Sequence, residues 1–188
     1  MLLPIGQKNK RHKSNNRTKK SSTHVWRMFL VKDISYWDYC HENGIIAMGY
    51  RLEDDEGNLE PVVGDCSKLS IGEYNRLWHE RYPNNGTRQT SLKRFAYDMK
   101  IGDIVYIKDN GIVVGKGKIT SGYKFDPRGK VVGPDYPEER AWEHYREVEW
   151  FDDFEPLNAK YLDVNRDRAT VAQLSFDDIK AFEEIENQ

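Results

Sequence analysis

The feature that most constrains this chain is Asp109-Asn110-Gly111, set between Asp103–Lys108 (DIVYIK) and Ile112–Ile119 (IVVGKGKI). Asn-Gly supplies the positive-φ residues that a tight hairpin needs, and both flanks carry β-branched residues. An antiparallel pair is expected here, and it commits the chain to a sheet. Gly115 and Gly117 punctuate the second strand, as glycines do where a strand coils sharply or another group approaches its backbone. Gly115-Lys116-Gly117-Lys118 lacks the GxxxxGK[ST] spacing of a phosphate loop and leads into a strand, so that reading is set aside.

Around this hairpin the chain alternates short strands and short helices. Val25–Val31 (VWRMFLV) and Ile45–Tyr50 (IIAMGY) are nearly continuous apolar runs that read as buried strands. Between them, Ser35 offers an N-cap for a helix over Tyr36–Glu42 that closes at Asn43-Gly44. Glu53–Gly57 is an acidic turn, and Val62–Asp65 is short and extended. Ser70 and Glu73 have capping-box spacing ahead of Ile71, Tyr74, Leu77 and Trp78 on one helical face. Pro83-Asn84-Asn85-Gly86 ends that helix, and Leu92, Phe95, Ala96 and Met99 carry a second. Gly122–Phe125 extends the sheet past a bend, residues 126–141 read as a loop, and Tyr145–Phe151 (YREVEWF) alternates as a strand. Ser175 and Asp178 start a last helix with Ile179, Phe182 and Ile185 on one face. Six or more short strands with inserted helices predict an α+β class: a small twisted mixed β-barrel with helices around it.

Charge divides the chain in two. The total is 29 Lys+Arg against 31 Asp+Glu, net −2, over 188 residues. Nine of the bases fall within residues 1–32, before the first acid at Asp33, which leaves the remainder at a net of −11. Residues 1–24 are therefore expected to be a disordered basic arm, and 25–188 a single folded domain. The arm reads either as an electrostatic tether to phosphates or an acidic partner, or as a solubilising leader. Aromatics at 12% argue that the body folds around rings. No run approaches the roughly 20 apolar residues that span a bilayer, and Met1–Ile5 is too short for a secretory signal. Cys40 and Cys66 make no disulfide framework. A cytoplasmic protein without membrane contact is the expectation.

Enzymatic chemistry finds little support. There is no CxxC and no HExxH, and the five His are scattered, so no metal site and no cofactor is expected. Cys40-His41 are adjacent on one helix, which favours a structural cysteine beside a surface histidine. Glu53–Glu56 lacks calcium-loop spacing. Asp135 is followed by no nuclease-type strand triplet, and Asp178-Ile179-Lys180 sits on a helix. No catalytic residue is assigned.

Three segments are more specific in combination: Asn43–Tyr50 (NGIIAMGY); Ile101–Ile107 (IGDIVYI) with Val114–Tyr123 (VGKGKITSGY); and His144–Trp150 (HYREVEW). In this order and spacing, residues 25–185 resemble the EVE/YTH-like branch of the PUA-like superfamily. They are most similar to N-terminal modified-DNA reader domains of McrB-type restriction systems. The resemblance implies a small barrel that binds nucleic acid, DNA ahead of RNA, with one modified base flipped into an aromatic pocket. It also implies a separate or fused motor or nuclease as effector. Such a pocket is physically reasonable, because ring faces return about 1–3 kcal/mol of stacking to an extruded base.

Carried onto this sequence, the base-binding candidates are Tyr36, Trp37, Tyr50, Asp65, Tyr123 and Phe125. Tyr50 stands where related sequences often have Trp. Trp37 and Tyr50 read equally as cage or core, and Asp65 reads as a turn residue or as an acceptor for an exocyclic amine. Trp26, Trp78, Trp150 and Phe151 read as core, and Asp103 as a turn cap. Phosphate contacts are expected from Lys116, Lys118, Lys124, Arg128, Lys130 and Arg146, with Arg88, Lys93 and Arg94 as further candidates. A solvated basic face is the alternative for all of them. Two other functions stay open: an RNA-binding, small-ligand or nucleoside-acting domain of the ASCH type, and a protein-interaction domain whose aromatics are all core.

Overall fold

A computed structural model describes residues 23–29, 34–109, 111–129, 142–158 and 169–186. Residues 1–22 of the expected arm, Lys130 and most of the 126–141 loop lie outside the described residues. In chain order the elements are β1 (Val25–Phe29), α1 (Ile34–Glu42), β2 (Ile45–Met48), β3 (Arg51–Glu53) and β4 (Leu59–Pro61). A 3₁₀ turn (Cys66–Lys68), α2 (Ile71–Arg81), α3 (Gly86–Lys93) and a π-turn (Arg94–Asp98) follow. The chain continues through β5 (Ile104–Asp109), β6 (Ile112–Ile119), β7 (Lys124–Phe125), β8 (His144–Trp150), β9 (Leu157–Asn158), β10 (Val171–Gln173) and α4 (Phe176–Glu186).

The main sheet runs β10-β1-β5-β6-β8-β2, with β7 added to β8 and β9 to β6. All its pairs are antiparallel except β1 with β5, which are parallel across the long crossover carrying α1 to α3. The terminal strands β10 and β2 do not pair with each other among the described residues, so the α+β fold is a curled half-barrel, consistent with the small twisted mixed barrel expected. The hairpin forms as its turn residues demand, with Gly111 at φ +93°. The glycines of β6 have a specific cause. A Cβ on Gly115 would lie 2.1 Å from the Trp37 ring, and one on Gly117 would lie 2.5 Å from Val148 and 2.6 Å from Trp150.

Both capping boxes form. Ser70 accepts from the Glu73 amide while Glu73 accepts from the Ser70 amide, and Ser175 and Asp178 exchange the same pair. Some boundaries differ from the sequence reading. Residue 35 lies inside α1, since the helix begins at Ile34. The strand expected to reach Tyr50 ends at Met48, because Gly49 must pass close to the Glu143 carboxylate. Val62–Asp65 is not a strand; the hairpin is β3–β4 just before it, closed by Asp54, whose carboxylate accepts from the Glu56 and Asn58 amides.

The second helix keeps its buried face but widens after Lys93 into the π-turn, where the Met99 amide bonds to the Arg94 carbonyl. That widening orphans carbonyls at the helix end, and β8 supplies their partner. Arg146 is buried, its Nε donating to Phe95 O (2.8 Å) and its Nη atoms to Ala96 O (3.1 Å) and Ser121 O (3.3 Å). The expected phosphate contact at Arg146 is therefore corrected, because period-2 alternation turns it inward with His144 and Val148.

The principal core lies between the sheet and α2/α3, with Trp26, Met28, Tyr74, Trp78, Leu92 and Phe95 buried in it. Each large side chain there contributes about 1.5–3 kcal/mol by leaving water. Asp103 ties the sheet to its edge, accepting from the His24 amide, Trp26 Nε1 (2.8 Å) and the Lys100 amide. A second cluster docks α4 by stacking Phe182 on Tyr106, centroids 5.0 Å apart. A third packs α1 on β2 through Tyr36, Cys40, Ile45 and Ala47. No helix of the described residues is long and apolar enough to cross a membrane.

Candidate functional site

Strand β8 organises two distinct places, one at each end. At its start, Glu143 and His144 are both buried, facing the chain that leaves β2. The Cys66 amide donates to Tyr123 Oη (3.1 Å), and Tyr123 Oη lies 2.7 Å from His144 Nδ1. Two arrangements fit this contact: the phenol donates to Nδ1 and the neutral imidazole carries its proton on Nε2, or Nδ1–H donates to the phenol and Nε2 is an acceptor. Burial is the main force keeping this ring neutral, moving its pKa down to about 3; Asp65 opposes the shift and Arg51 adds to it. The 3.4 Å separation between His144 Nε2 and Glu143 Oε1 is accordingly not an ion pair.

Glu143 is the other half of this cluster. Burial pushes its carboxyl up to about 7, against the pull of Arg51, whose Nε donates to Oε2 at 3.3 Å. Three atoms of the cluster, His144 Nε2, Glu143 Oε1 and Arg51 Nη2, are buried without a hydrogen-bond partner. Unpartnered buried polar atoms cost on the order of 1–3 kcal/mol each, so such a group is expected where a ligand or water completes the bonding. The rings of Phe125 and Tyr123 flank the imidazole at 5.3 and 5.8 Å.

Of the six base-binding candidates, Tyr123 and Phe125 gather at this cluster. Asp65 adjoins it as the residue before Cys66 and as an electrostatic neighbour of His144. Its carboxylate caps the 3₁₀ turn, accepting from the Ser67 amide (3.0 Å) and hydroxyl (2.7 Å). Burial acts to raise its pKa, but the bonds from Ser67 and Lys68 outweigh burial and hold it below the usual range. Tyr50 turns away to α2: its ring meets Trp78 edge-on at 5.7 Å, Arg88 lies 5.6 Å above it, and its hydroxyl reaches Thr170 at 3.4 Å. Tyr36 is core, its hydroxyl donating to Ala47 O (2.6 Å) and its ring packed on Trp142.

Trp37 belongs to the far end of β8. It meets Trp150 edge-on (4.9 Å) and His41 (5.1 Å), and these three rings border an open notch of about 130 Å³. Gly115, Lys116, Phe151, Asp152 and Phe154 complete its wall. Trp150 is thus half-buried at a notch edge, where the sequence reading had it as core. Cys40, whose carbonyl lies 3.3 Å from Trp150 Nε1, is buried, and burial pushes its thiol up to about 12. A thiol so protonated is a poor nucleophile, consistent with a structural Cys40 beside His41.

The basic candidates are largely engaged with acids. Lys116 pairs with Glu186 (2.6 Å), Lys124 with Glu147 (2.5 Å) and Arg128 with Asp126 (3.6 Å), while Lys118 is exposed on β6. The sequence reading missed Arg51, Glu143 and His144 as site residues. The signal for His144 was its place in the inward register of β8, two residues before Arg146 and four before Val148.

An α+β half-barrel with a polar, ring-flanked cluster at one strand end is the class of protein this structure defines. The chain belongs to the family described as "Domain of unknown function (DUF8426)", which matches residues 26–175. No curated protein matches the chain. Among solved structures it is similar to the YTH domain of the Zygosaccharomyces rouxii MRB1 protein in complex with N6-methyladenosine RNA, with a TM-score of 0.43 and 12% identity over 88% of each chain.

Proposed function

We propose that this chain is a nucleic-acid-binding module that reads a modified base, flipped out of DNA, at the His144 end of β8. The observation that carries the reading is the trio of unpartnered buried atoms beside the rings of Tyr123 and Phe125. A base edge offers donors and acceptors side by side, which suits an imidazole nitrogen, a carboxylate and a guanidinium donor. The rings supply the stacking that an extruded base loses, and a methyl group on the base fills apolar space between them. Asp65, which precedes Cys66 and is an electrostatic neighbour of His144, is the candidate acceptor for an exocyclic amine. Lys118, Lys124 and Arg128 are the candidates for phosphate contact, and the basic residues 1–24 add a sequence-independent tether whose grip falls steeply with salt. In this role the module delivers a separate or fused effector to modified sites and carries no catalysis of its own.

The test is fluorescence anisotropy with duplexes of one sequence carrying adenine, N6-methyladenine, cytosine, 5-methylcytosine or 5-hydroxymethylcytosine at one position, and with the RNA counterparts. One modified duplex is expected to bind at least tenfold tighter than its unmodified partner. Phe125→Ala and Glu143→Gln are expected to abolish that ratio and spare the salt-dependent background. Equal affinity for every oligonucleotide would sink the reading, and tighter binding to modified RNA would move it from DNA to RNA.

A further inference from the structure

We propose that the notch at the Trp150 end of β8 binds a quaternary ammonium group, independently of the base-reading cluster. Four observations carry this. The cavity, about 130 Å³, is the size of a small headgroup, not of an extended ligand, and its wall is chiefly aromatic: Trp37, Trp150, Phe151 and Phe154. The one lysine on the wall, Lys116, has its charge taken up by Glu186, whose carboxylate oxygens lie 2.6 and 2.9 Å from Nζ. The one carboxylate on the wall, Asp152, is exposed and has no hydrogen-bond or ion-pair partner among the described residues. Finally, Gly115 is required for the arrangement, since any side chain there would occupy the space of the Trp37 ring.

The chemistry follows from that balance. Ring faces attract a cation through their quadrupoles, most strongly for indole, and a quaternary ammonium loses little hydration on entering such a site. With Lys116 neutralised by Glu186, the Asp152 carboxylate is the unpaired acid on the wall among the described residues. A phosphate or carboxylate is repelled by this rim. A neutral apolar group gains nothing from it. A methylated ammonium satisfies both the rings and the acid, whether it arrives as a trimethyllysine side chain or as a free choline-like molecule.

The experiment follows the tryptophan indole N–H signals of the full chain by NMR during titration. The probes are choline, its neutral isostere 3,3-dimethylbutan-1-ol, and an acetylated trimethyllysine amide. Choline and trimethyllysine are expected to move the Trp37 and Trp150 signals and to leave Trp26 and Trp78 in place. The neutral alcohol is expected to move none of them. Tighter binding of trimethyllysine than of choline assigns the ammonium to a protein partner, and the reverse order assigns it to a small molecule. Asp152→Asn, a surface change that spares folding, is expected to weaken choline about three- to tenfold. Gly115→Ala, which displaces Trp37, is expected to abolish the shift. The proposal is overturned if the alcohol binds as well as choline, if Asp152→Asn leaves choline affinity unchanged, or if neither Trp37 nor Trp150 responds. Displacement of choline by an oligonucleotide would also overturn it, and would give the notch to a base instead; loss of base discrimination alone leaves it standing.

Discussion

The two ends of β8 are built from the same alternation and solve opposite problems. At the His144 end, polar side chains are driven inward; Arg146 finds three carbonyls there, while His144, Glu143 and Arg51 each keep an atom without a partner. At the Trp150 end, rings that could have been buried border an open notch, and the Asp152 carboxylate on its wall is solvent-facing and has no partner among the described residues. The first place holds unmet hydrogen-bonding capacity in a buried setting, which is the basis of the proposed base reading. The second presents polarizable rings at an open notch, which is the basis of the proposed cation site.

The comparison breaks most easily at Arg146. If its role is to complete the carbonyls freed by the π-turn, Arg146→Ala costs about 3–5 kcal/mol in urea denaturation, since it strands three acceptors in the core. A loss below about 1 kcal/mol would mean that water reaches the inward face of β8 and satisfies those carbonyls. Next in size is overpacking at the glycines. Gly115→Ala forces out the Trp37 ring and Gly49→Ala forces out the Glu143 carboxylate, which in each case comes within 2.6 Å of the new methyl or closer. Each is expected to cost about 1–3 kcal/mol. Only the first should change the Trp37 indole signal, and only the second should alter base discrimination.

A finer separation comes from pH. His144, held down at about 3 from an ordinary 6.5, binds fewer protons folded than unfolded, so its contribution is lost as pH falls below 6.5. Glu143, held up at about 7 from 4.5, binds more when folded, so its contribution is lost as pH rises from 4.5 to 7. Between pH 4.5 and 6.5 the two slopes cancel in the native chain. Glu143→Gln is expected to lose up to about 1.4 kcal/mol of stability per pH unit on acidification from 6.5 to 4.5. His144→Gln should lose a similar amount in the opposite direction. Urea midpoints at pH 4.5, 5.5 and 6.5 check both, and parallel slopes in the two variants would dissolve the cluster as a unit. The smallest effect is at the surface: Lys124→Ala removes an exposed pair with Glu147 and should cost under about 1 kcal/mol, while lowering oligonucleotide affinity and its salt slope by one phosphate contact.

Much of the fold was legible in the residues, because its signals are local. Asn110-Gly111 dictates a turn, Ser70 with Glu73 and Ser175 with Asp178 dictate helix starts, and alternation marks β8. The candidate site was legible only in part. Tyr123 and Phe125 stand out beside a bend, but Tyr36, Trp37 and Tyr50 are aromatic side chains in apolar runs, and nothing in their spacing says which ring faces which. Glu143 precedes its strand and Arg51 sits in an unremarked hairpin, so neither carries a local mark. Their pairing spans more than ninety residues.

What the sequence by itself determined is the set of turns, caps and strand faces, including the inward register that buries His144 and Arg146. Glycine, proline and capping residues act over one to four positions, and those distances are written in the chain. What only the tertiary structure decided is which polar groups meet across the curled sheet. Arg146 was equally basic on paper as a phosphate ligand or as a carbonyl clamp, and the π-turn carbonyls packed against it made it the clamp. His144, on the same face, met no such carbonyls. Hydrogen-bond satisfaction depends on partners brought close by folding, so a residue's function follows from its neighbours in space.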